Sequence, residues 1–248
     1  MKFPLSFSKL VMAAAVALPT MALATITPEA PQQDTDNCYM IGSAAELYGF
    51  AEMVNDGSGF NGCGKLTANI VVNENLLTES NVGDDGTFIG SKPAHIWIPM
   101  GTSEAPFKGS FHGQGHTISG LYFNDQKKEK VGLFGNAGDV EIDGLGLVDS
   151  YFEGSSDVGG FVGYAGGTVY IRNSYNSSVV RGHSGNNDWW CGVGGFVGAA
   201  DVNELEIENS YNLGFVTGGP AVGGLVGIIR VRENFSVSNS YNAGDVKG

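Results

Sequence analysis

Residues 158–163 read Val-Gly-Gly-Phe-Val-Gly. The phrase returns as VGGFVG at Val193 to Gly198 and as VGGLVG at Val222 to Gly227, with a looser copy, VGLFG, at Val131 to Gly135. A second phrase alternates with it: SYF at Ser150, then NSYN at Asn173, Asn209 and Asn239. Two phrases in fixed alternation mark a repeat protein, in which each copy buries its apolar face against its neighbours.

The spacing shows which half of each copy is constant. From the opening valine to the following tyrosine the separations are 20, 17, 18 and 19 residues, whereas from each tyrosine to the next valine they are 7, 18 and 11. The second half takes the insertions. Copies recurring every ~24 to 36 residues, short β-branched segments and no helical period predict an all-β fold, specifically a right-handed parallel β-helix with turns stacked about 4.8 Å apart. A β-propeller, whose blades need about 40 residues, fits less well. Stacking predicts a polar ladder of Asp149, Asn173, Asn209 and Asn239 at one corner, and Ile171, Ile207 and Val237 above one another inside.

Working outward, FKGSFHGQGHTISGLYF at Phe107 to Phe123 alternates large and absent side chains, the pattern of a strand entering a tight corner. Before it, Ser43 and Glu46 form an S-x-x-E capping box, and Leu47, Phe50, Ala51 and Val54 follow on one stripe. The reading is a helix over about 44–55 and a strand over 65–73, together a cap spanning 38–87 that closes one end of a β-helix occupying 88–248. Residues 25–37 are polar, proline-containing and aperiodic, and read as a flexible leader. Residues 1–24 place Lys2 and Lys9 ahead of a short apolar run ending Ala-Leu-Ala, the form of a secretory signal peptide. At the other end SYNAGDVKG stops at Gly248, where a further VGG phrase is due, so the array reads as incomplete, with more repeats or domains of a longer chain expected beyond it.

Glycine is 39 of 248 residues, about twice the roughly 7% of average proteins, and it sits in the repeat phrases as turn punctuation. The formal net charge is −13, and −15 once the two lysines of the export signal are gone, which argues against nucleic acid and anionic membrane surfaces as partners. At most peripheral membrane contact is expected after signal cleavage. Lys127, Lys128 and Lys130 flank Glu129 and read as a solvated loop. Cys38 and Cys63 bracket one compact unit and are expected to pair in an oxidising compartment, leaving Cys191 as a buried thiol or one paired outside the chain.

No catalytic residue, cofactor or metal site is expected. His112 and His116 in HGQGH lack the glutamate of HExxH, and the glycines between them oppose a helix. The acids Asp84, Asp85, Asp139 to Asp143 and Asp157 fall at different repeat positions, unlike the gathered pair of a glycosidase. Ligand contact is expected instead from aromatics: the adjacent Trp189 and Trp190 in the longest insertion, and the repeated Tyr175, Tyr211 and Tyr241, which could offer a strip to sugar rings or stack as packing.

The VGGFVG and VGGLVG phrases, SYNLGFV at Ser210, SYNAGDV at Ser240 and the Phe107 to Phe123 lead-in resemble the GLUG-motif repeat proteins of bacteria over about Trp97 to Gly248. The resemblance implies an exported or surface-displayed, adhesin-like β-helical protein, and it implies no activity. His112 departs from the pattern, which carries Asp there. The expected function is therefore a non-catalytic secreted or cell-surface module that binds polysaccharide, a cell-surface glycan or another surface through its variable loops. A pectin-lyase-like carbohydrate-active enzyme and a scaffold fragment of a larger secreted protein are the alternatives.

Overall fold

The computed structural model describes residues 25–183 and 191–248; residues 1–24, expected to be an export signal, and Trp189 and Trp190 lie outside the described residues. Strand β1 (Cys38–Ile41) leads into helix α1 (Ala44–Val54), then β2 (Asn61–Leu66) and β3 (Ile70–Val71). After a long connection come β4 (Phe107–His112), β5 (Thr117–Ser119), β6 (Tyr122–Asn124), β7 (Phe134–Asp143) and β8 (Gly146–Gly154). The next repeat supplies β9 (Val158–Gly159), β10 (Val162–Arg172) and β11 (Tyr175–Gly182). The last two supply β12 (Gly192–Gly194), β13 (Val197–Glu208), β14 (Tyr211–Asn212) and β15 (Val216–Thr217), then β16 (Ala221–Gly223), β17 (Val226–Ser238), β18 (Tyr241–Asn242) and β19 (Val246–Lys247).

The fold is all-β with parallel sheets. A seven-stranded sheet runs β1-β2-β4-β7-β10-β13-β17, a nine-stranded sheet is built on β18-β14-β11-β8-β5-β3, and a small third sheet is β16-β12-β9. Each of the last three repeats adds a strand to every sheet, in unbroken equivalence of position: Phe111, Ile142, Ile171, Ile207 and Val237 share one row of the first sheet. Four of these are fully buried; Val237 is 42% exposed because β17 is an edge strand.

The two sequence phrases are physically joined. Asn173, Asn209 and Asn239 turn the chain from the first sheet into the second with φ near +50°, a left-handed conformation that asparagine tolerates better than most residues. The serine that follows each accepts an N–H from the preceding repeat, from Leu145 at 3.1 Å, Ser174 at 3.1 Å and Ser210 at 3.0 Å. The second asparagine of NSYN points inward. Asn176 Nδ2 donates to Asn212 Oδ1 at 2.9 Å and to the Gly195 carbonyl at 3.0 Å, and Asn212 Nδ2 donates to Asn242 Oδ1 at 2.7 Å. These amides fill the space that the central VGG glycine leaves open, since a Cβ on Gly195 would lie 2.6 Å from Asn212 Cγ.

Two alignments are corrected. The corner position below Asn173 is Gly144, at φ +65°, and not Asp149; the adjacent Asp143, in register with Arg172, supplies the Oδ1 that accepts from Asn173 Nδ2 at 2.7 Å. Asp149 lies in a bulge of β8 opposite β11, and its carboxylate accepts the Leu76 and Leu77 N–H groups at 3.0 and 2.6 Å. For the same reason Tyr151 pairs in register with Tyr122 and Val179, and Gly146 occupies the position below Tyr175. SYF therefore repeats the local left-handed-residue-then-serine chemistry of NSYN at a different place on the strand.

At the other end α1 closes the stack. Ser43 Oγ accepts the Glu46 N–H at 3.2 Å, the Glu46 carboxylate takes the Gly42 N–H at 2.8 Å, and Phe50 sits 6.0 Å from the Phe111 ring. Stacking continues inward through Phe60, Phe107 and Phe134, with ring centres 5.7 and 4.5 Å apart. Cys38 and Cys63 form a disulfide across β1 and β2, whose 25-residue separation gives about 3.5 kcal/mol of chain-entropy stabilisation. The single strand expected over 65–73 divides into the ends of β2 and β3, which belong to different sheets. Residues 29–34, within the expected flexible leader, are tied down: Glu29 N–H donates to Ala45 at 3.0 Å, Met40 N–H to Gln32 at 2.8 Å, and Asp34 pairs with Lys65.

Candidate functional site

The first sheet buries Val169 and Ile171 and turns Thr168, Tyr170 and Arg172 outward, so equivalent residues of successive strands line up on its outer face. Ser110, Glu141, Tyr170, Glu206 and Ser236 form one such row, and His112, Asp143, Arg172, Glu208 and Ser238 the next. Arg172 organises them. Its Nε lies 2.9 Å from Glu206 and 4.0 Å from Glu208, its Nη1 3.4 Å from Glu141, and its guanidinium 4.4 Å from the centre of the Tyr170 ring. The Tyr170 hydroxyl donates to Glu204 at 2.9 Å; this bond holds the phenol above its usual pKa, while the bonds from Asn234 and Tyr170 hold Glu204 below the ordinary carboxylate range.

Toward the capped end this face deepens into a groove of about 790 Å³. Its lining includes the backbone of Gly62 and Gly109; Gly109 has φ +111°, and a Cβ there would lie 2.1 Å from the Gly62 carbonyl. Tyr39 and Phe60 line one part, and Asp139, Glu141, Thr168 and Tyr170 another. Each acid at this wall has a cation near it: Asp139 is 3.8 Å from Lys108 and accepts the Thr168 N–H at 3.0 Å, and Glu141 meets Arg172. The site thus offers aromatic rings, hydroxyls and hydrogen-bond acceptors around a glycine floor. None of these residues was singled out as a contact from the sequence except Asp139, considered only as a scattered acid. The available signal was the period-2 polar alternation of Thr168-Tyr170-Arg172 and Glu204-Glu206-Glu208.

Tyr175, Tyr211 and Tyr241 do come together. Their rings stack with centres 5.2 and 5.4 Å apart and planes within 9°. Near-parallel rings at this separation are stacked pairs, each ring packed on the next. The faces cover one another, so the stack presents edges and hydroxyls rather than a flat platform; Tyr241, at the end, is 53% exposed.

Next in sequence before the insertion carrying Trp189 and Trp190, Arg181 and His183 meet a buried carboxylate that gathers polar partners. Glu153 accepts from the Tyr151 hydroxyl at 2.5 Å and Gln126 at 3.0 Å, lies 3.5 Å from Arg181, and also bonds His183. Arg181 reaches on to the Asp85 carbonyl at 2.7 Å, and the Tyr151 hydroxyl accepts the Phe88 N–H at 3.0 Å. Burial and the bond to Glu153 push the Tyr151 phenol pKa up. With its oxygens so engaged, Glu153 acts as an anchor fixing the 85–88 segment and the base of the insertion. His112 ends β4 and His116 precedes β5, on either side of the corner at Gln114 and Gly115. Cys191 is half-buried and outside the disulfide.

A comparison with protein-family models finds no match. The chain is 31% identical over 185 residues, 74% of its length, to Halomucin of Haloquadratum walsbyi, and it spans about 2% of that protein. In fold it is similar to a crystal structure from Bacteroides ovatus described as that of a candidate immunoglobulin A1 protease, with a TM-score of 0.55, 18% identity, and coverage of 89% of this chain and 80% of the other. That likeness is one of fold: an all-β chain of parallel sheets.

Proposed function

We propose that this chain is a right-handed parallel β-helix of the GLUG-repeat type, exported to the cell surface or medium, and that it is a non-catalytic adhesin-like module binding neutral polysaccharide. The observation that carries the reading is the groove on the outer face of the first sheet. Its Tyr39, Phe60 and Tyr170 rings can pack against sugar C–H faces, while Asp139, Glu141 and Thr168 accept or share hydroxyl hydrogen bonds. A neutral ligand suits a chain of formal charge −13 and a groove edged by carboxylates. Lys108, 3.8 Å from Asp139, and Arg172, 3.4 Å from Glu141, offset the carboxylate charge at this wall, which supports the binding of a neutral sugar there.

Export is supported by the leading 24 residues, the Cys38–Cys63 disulfide and the likeness to Halomucin. The β-helix is supported by the equivalence of each repeat's strands across three parallel sheets. The test is a pull-down of the protein by insoluble neutral polysaccharides, comparing the wild type with Tyr170→Ala and with Trp189→Ala/Trp190→Ala. Retention on at least one polysaccharide, weakened about tenfold by Tyr170→Ala, is the expected result. A further loss in the tryptophan pair would bring the insertion into the contact. No retention on any neutral polysaccharide would sink the binding claim.

A further inference from the structure

The three lysines that read as a solvated loop line a second cleft, of about 660 Å³, on a different part of the molecule from the groove. Segment 125–130 is folded against the scaffold: Asp125 N–H donates to the Glu153 carbonyl at 3.1 Å, the Lys128 carbonyl accepts from Ser155 N–H at 2.8 Å, and Lys130 N–H donates to the Ser156 carbonyl at 3.1 Å. Lys130 is held at φ +60°, with its ammonium on Ser103 Oγ at 2.9 Å and 4.8 Å from the centre of the Tyr164 ring. The amines of Lys127 and Lys128 make no hydrogen bond or ion pair among the described residues. Glu104 and Glu129 also line the cleft, so positive charge predominates there by three groups to two.

A second observation is independent of the lysines. Asn136, in β7, lines the same cleft and is only 8% exposed, yet its side-chain amide has no hydrogen-bond partner among the described residues. Its register partner is Tyr164, while the next pair, Ala137 and Ala165, belongs to the core, so Asn136 faces outward beneath the cleft. Its amide is not sealed from solvent, so it stands at the floor of the cleft as a hydrogen-bonding group available to a ligand. Ile98, 63% exposed, and Phe123 add an apolar wall.

We infer that this cleft is a second ligand site, specific for the carboxylate of an acidic sugar residue. The Lys127 and Lys128 ammoniums and the Asn136 amide are donors for the carboxylate, with Lys130 fixed beside them, and Ile98 and Phe123 pack against the pyranose ring. The inference rests on the reading that the chain meets polysaccharide, but it concerns a separate cleft and the opposite charge preference. The net negative charge of the protein opposes a polyanion at long range. At about 0.15 M salt that repulsion is screened beyond roughly 8 Å, and the local contacts decide binding.

The test uses the full chain and two probes of one length, tetragalacturonate and its methyl ester, titrated by calorimetry in 0.15 M NaCl. The acid is expected to bind at least tenfold more tightly than the ester. Lys127→Ala/Lys128→Ala and, separately, Asn136→Asp should each weaken the acid at least tenfold, whereas Lys127→Arg/Lys128→Arg keeps binding within about threefold. Circular dichroism and thermal melts confirm that each variant is folded. Equal affinity for acid and ester, no binding of the acid, or an unchanged affinity in the folded alanine pair would each overturn the assignment. Sulfated oligosaccharide of the same length binding more tightly than tetragalacturonate would overturn the choice of carboxylate. Retention on neutral polysaccharide should not change in these variants, so failure here and failure of the groove are read separately.

Discussion

Asp157 shows what a single corner residue costs. It precedes the VGGFVG phrase at φ +53°, is half-buried, and has one carboxylate oxygen out of contact with solvent and without a hydrogen-bond partner. Burial pushes its pKa up from 3.8 to about 6, with Glu129 adding to the shift and Gly192 N–H and Lys130 opposing it. Between those two values the folded chain holds a proton that the unfolded chain has lost. Stability therefore falls as the pH rises through that window, by on the order of 1–3 kcal/mol. Asp157→Asn tolerates the same left-handed backbone and removes the charge. Urea denaturation of this variant should show a flatter dependence between pH 4 and 7, and a gain of about 1–2 kcal/mol at pH 7.5. Identical slopes in both proteins would acquit Asp157. In the sequence this residue was one scattered acid, because burial of a single carboxylate is set by neighbours a repeat away.

At the scale of the element, the VGG corner and the inward asparagine of NSYN form one unit. The phrases were legible in the sequence and so was their alternation, but their mutual contact was not, since it joins residues of different repeats. The contact sets a strict size limit. A Cβ on Gly195 would approach the Gly224 carbonyl to 2.2 Å and Asn212 Cγ to 2.6 Å, and both neighbours are held by backbone or buried amide bonds. Gly195→Ala should therefore destabilise by about 3 kcal/mol or more. Gly138→Ala, whose Cβ would meet nothing closer than 3.9 Å, should be much milder, within about 1 kcal/mol. Comparable denaturation midpoints for the two variants would show that the corner is more compliant than its packing indicates. The helix was read from its capping box to within a residue, because both the cap and the apolar stripe are local. The strand expected over 65–73 crossed a sheet boundary that its β-branched composition does not mark.

For the whole molecule, a stack of nearest-neighbour contacts implies graded stability from one end to the other. The helical cap covers the aromatic end of the core, while at the other end Val231, Phe235, Val237 and Val246 are between 37 and 46% exposed. Hydrogen exchange followed by mass spectrometry should find the slowest amides in β10 and β13, both paired on two sides, and exchange faster by about tenfold or more in β16 to β19. Uniform protection through the last repeat would show that the stack opens as one cooperative unit.

What the sequence by itself determined is the repetitive part: the all-β class, the alternation of two phrases, the asparagine ladder through Asn173, Asn209 and Asn239, the apolar row through Ile171 and Ile207, the capping box and the disulfide pair. Apart from the disulfide, which followed from two cysteines bracketing one compact unit, each depends on residues a few positions apart or on a period that the chain repeats. Only the tertiary structure placed Tyr39 and Phe60 in one groove with Glu141 and Tyr170, and Lys127, Lys128 and Lys130 around Asn136 with Ile98. Those groupings arise where non-repeating segments dock on the regular scaffold. Such docking follows shape, charge and buried hydrogen bonding over long separations, and no periodic pattern in the chain encodes it.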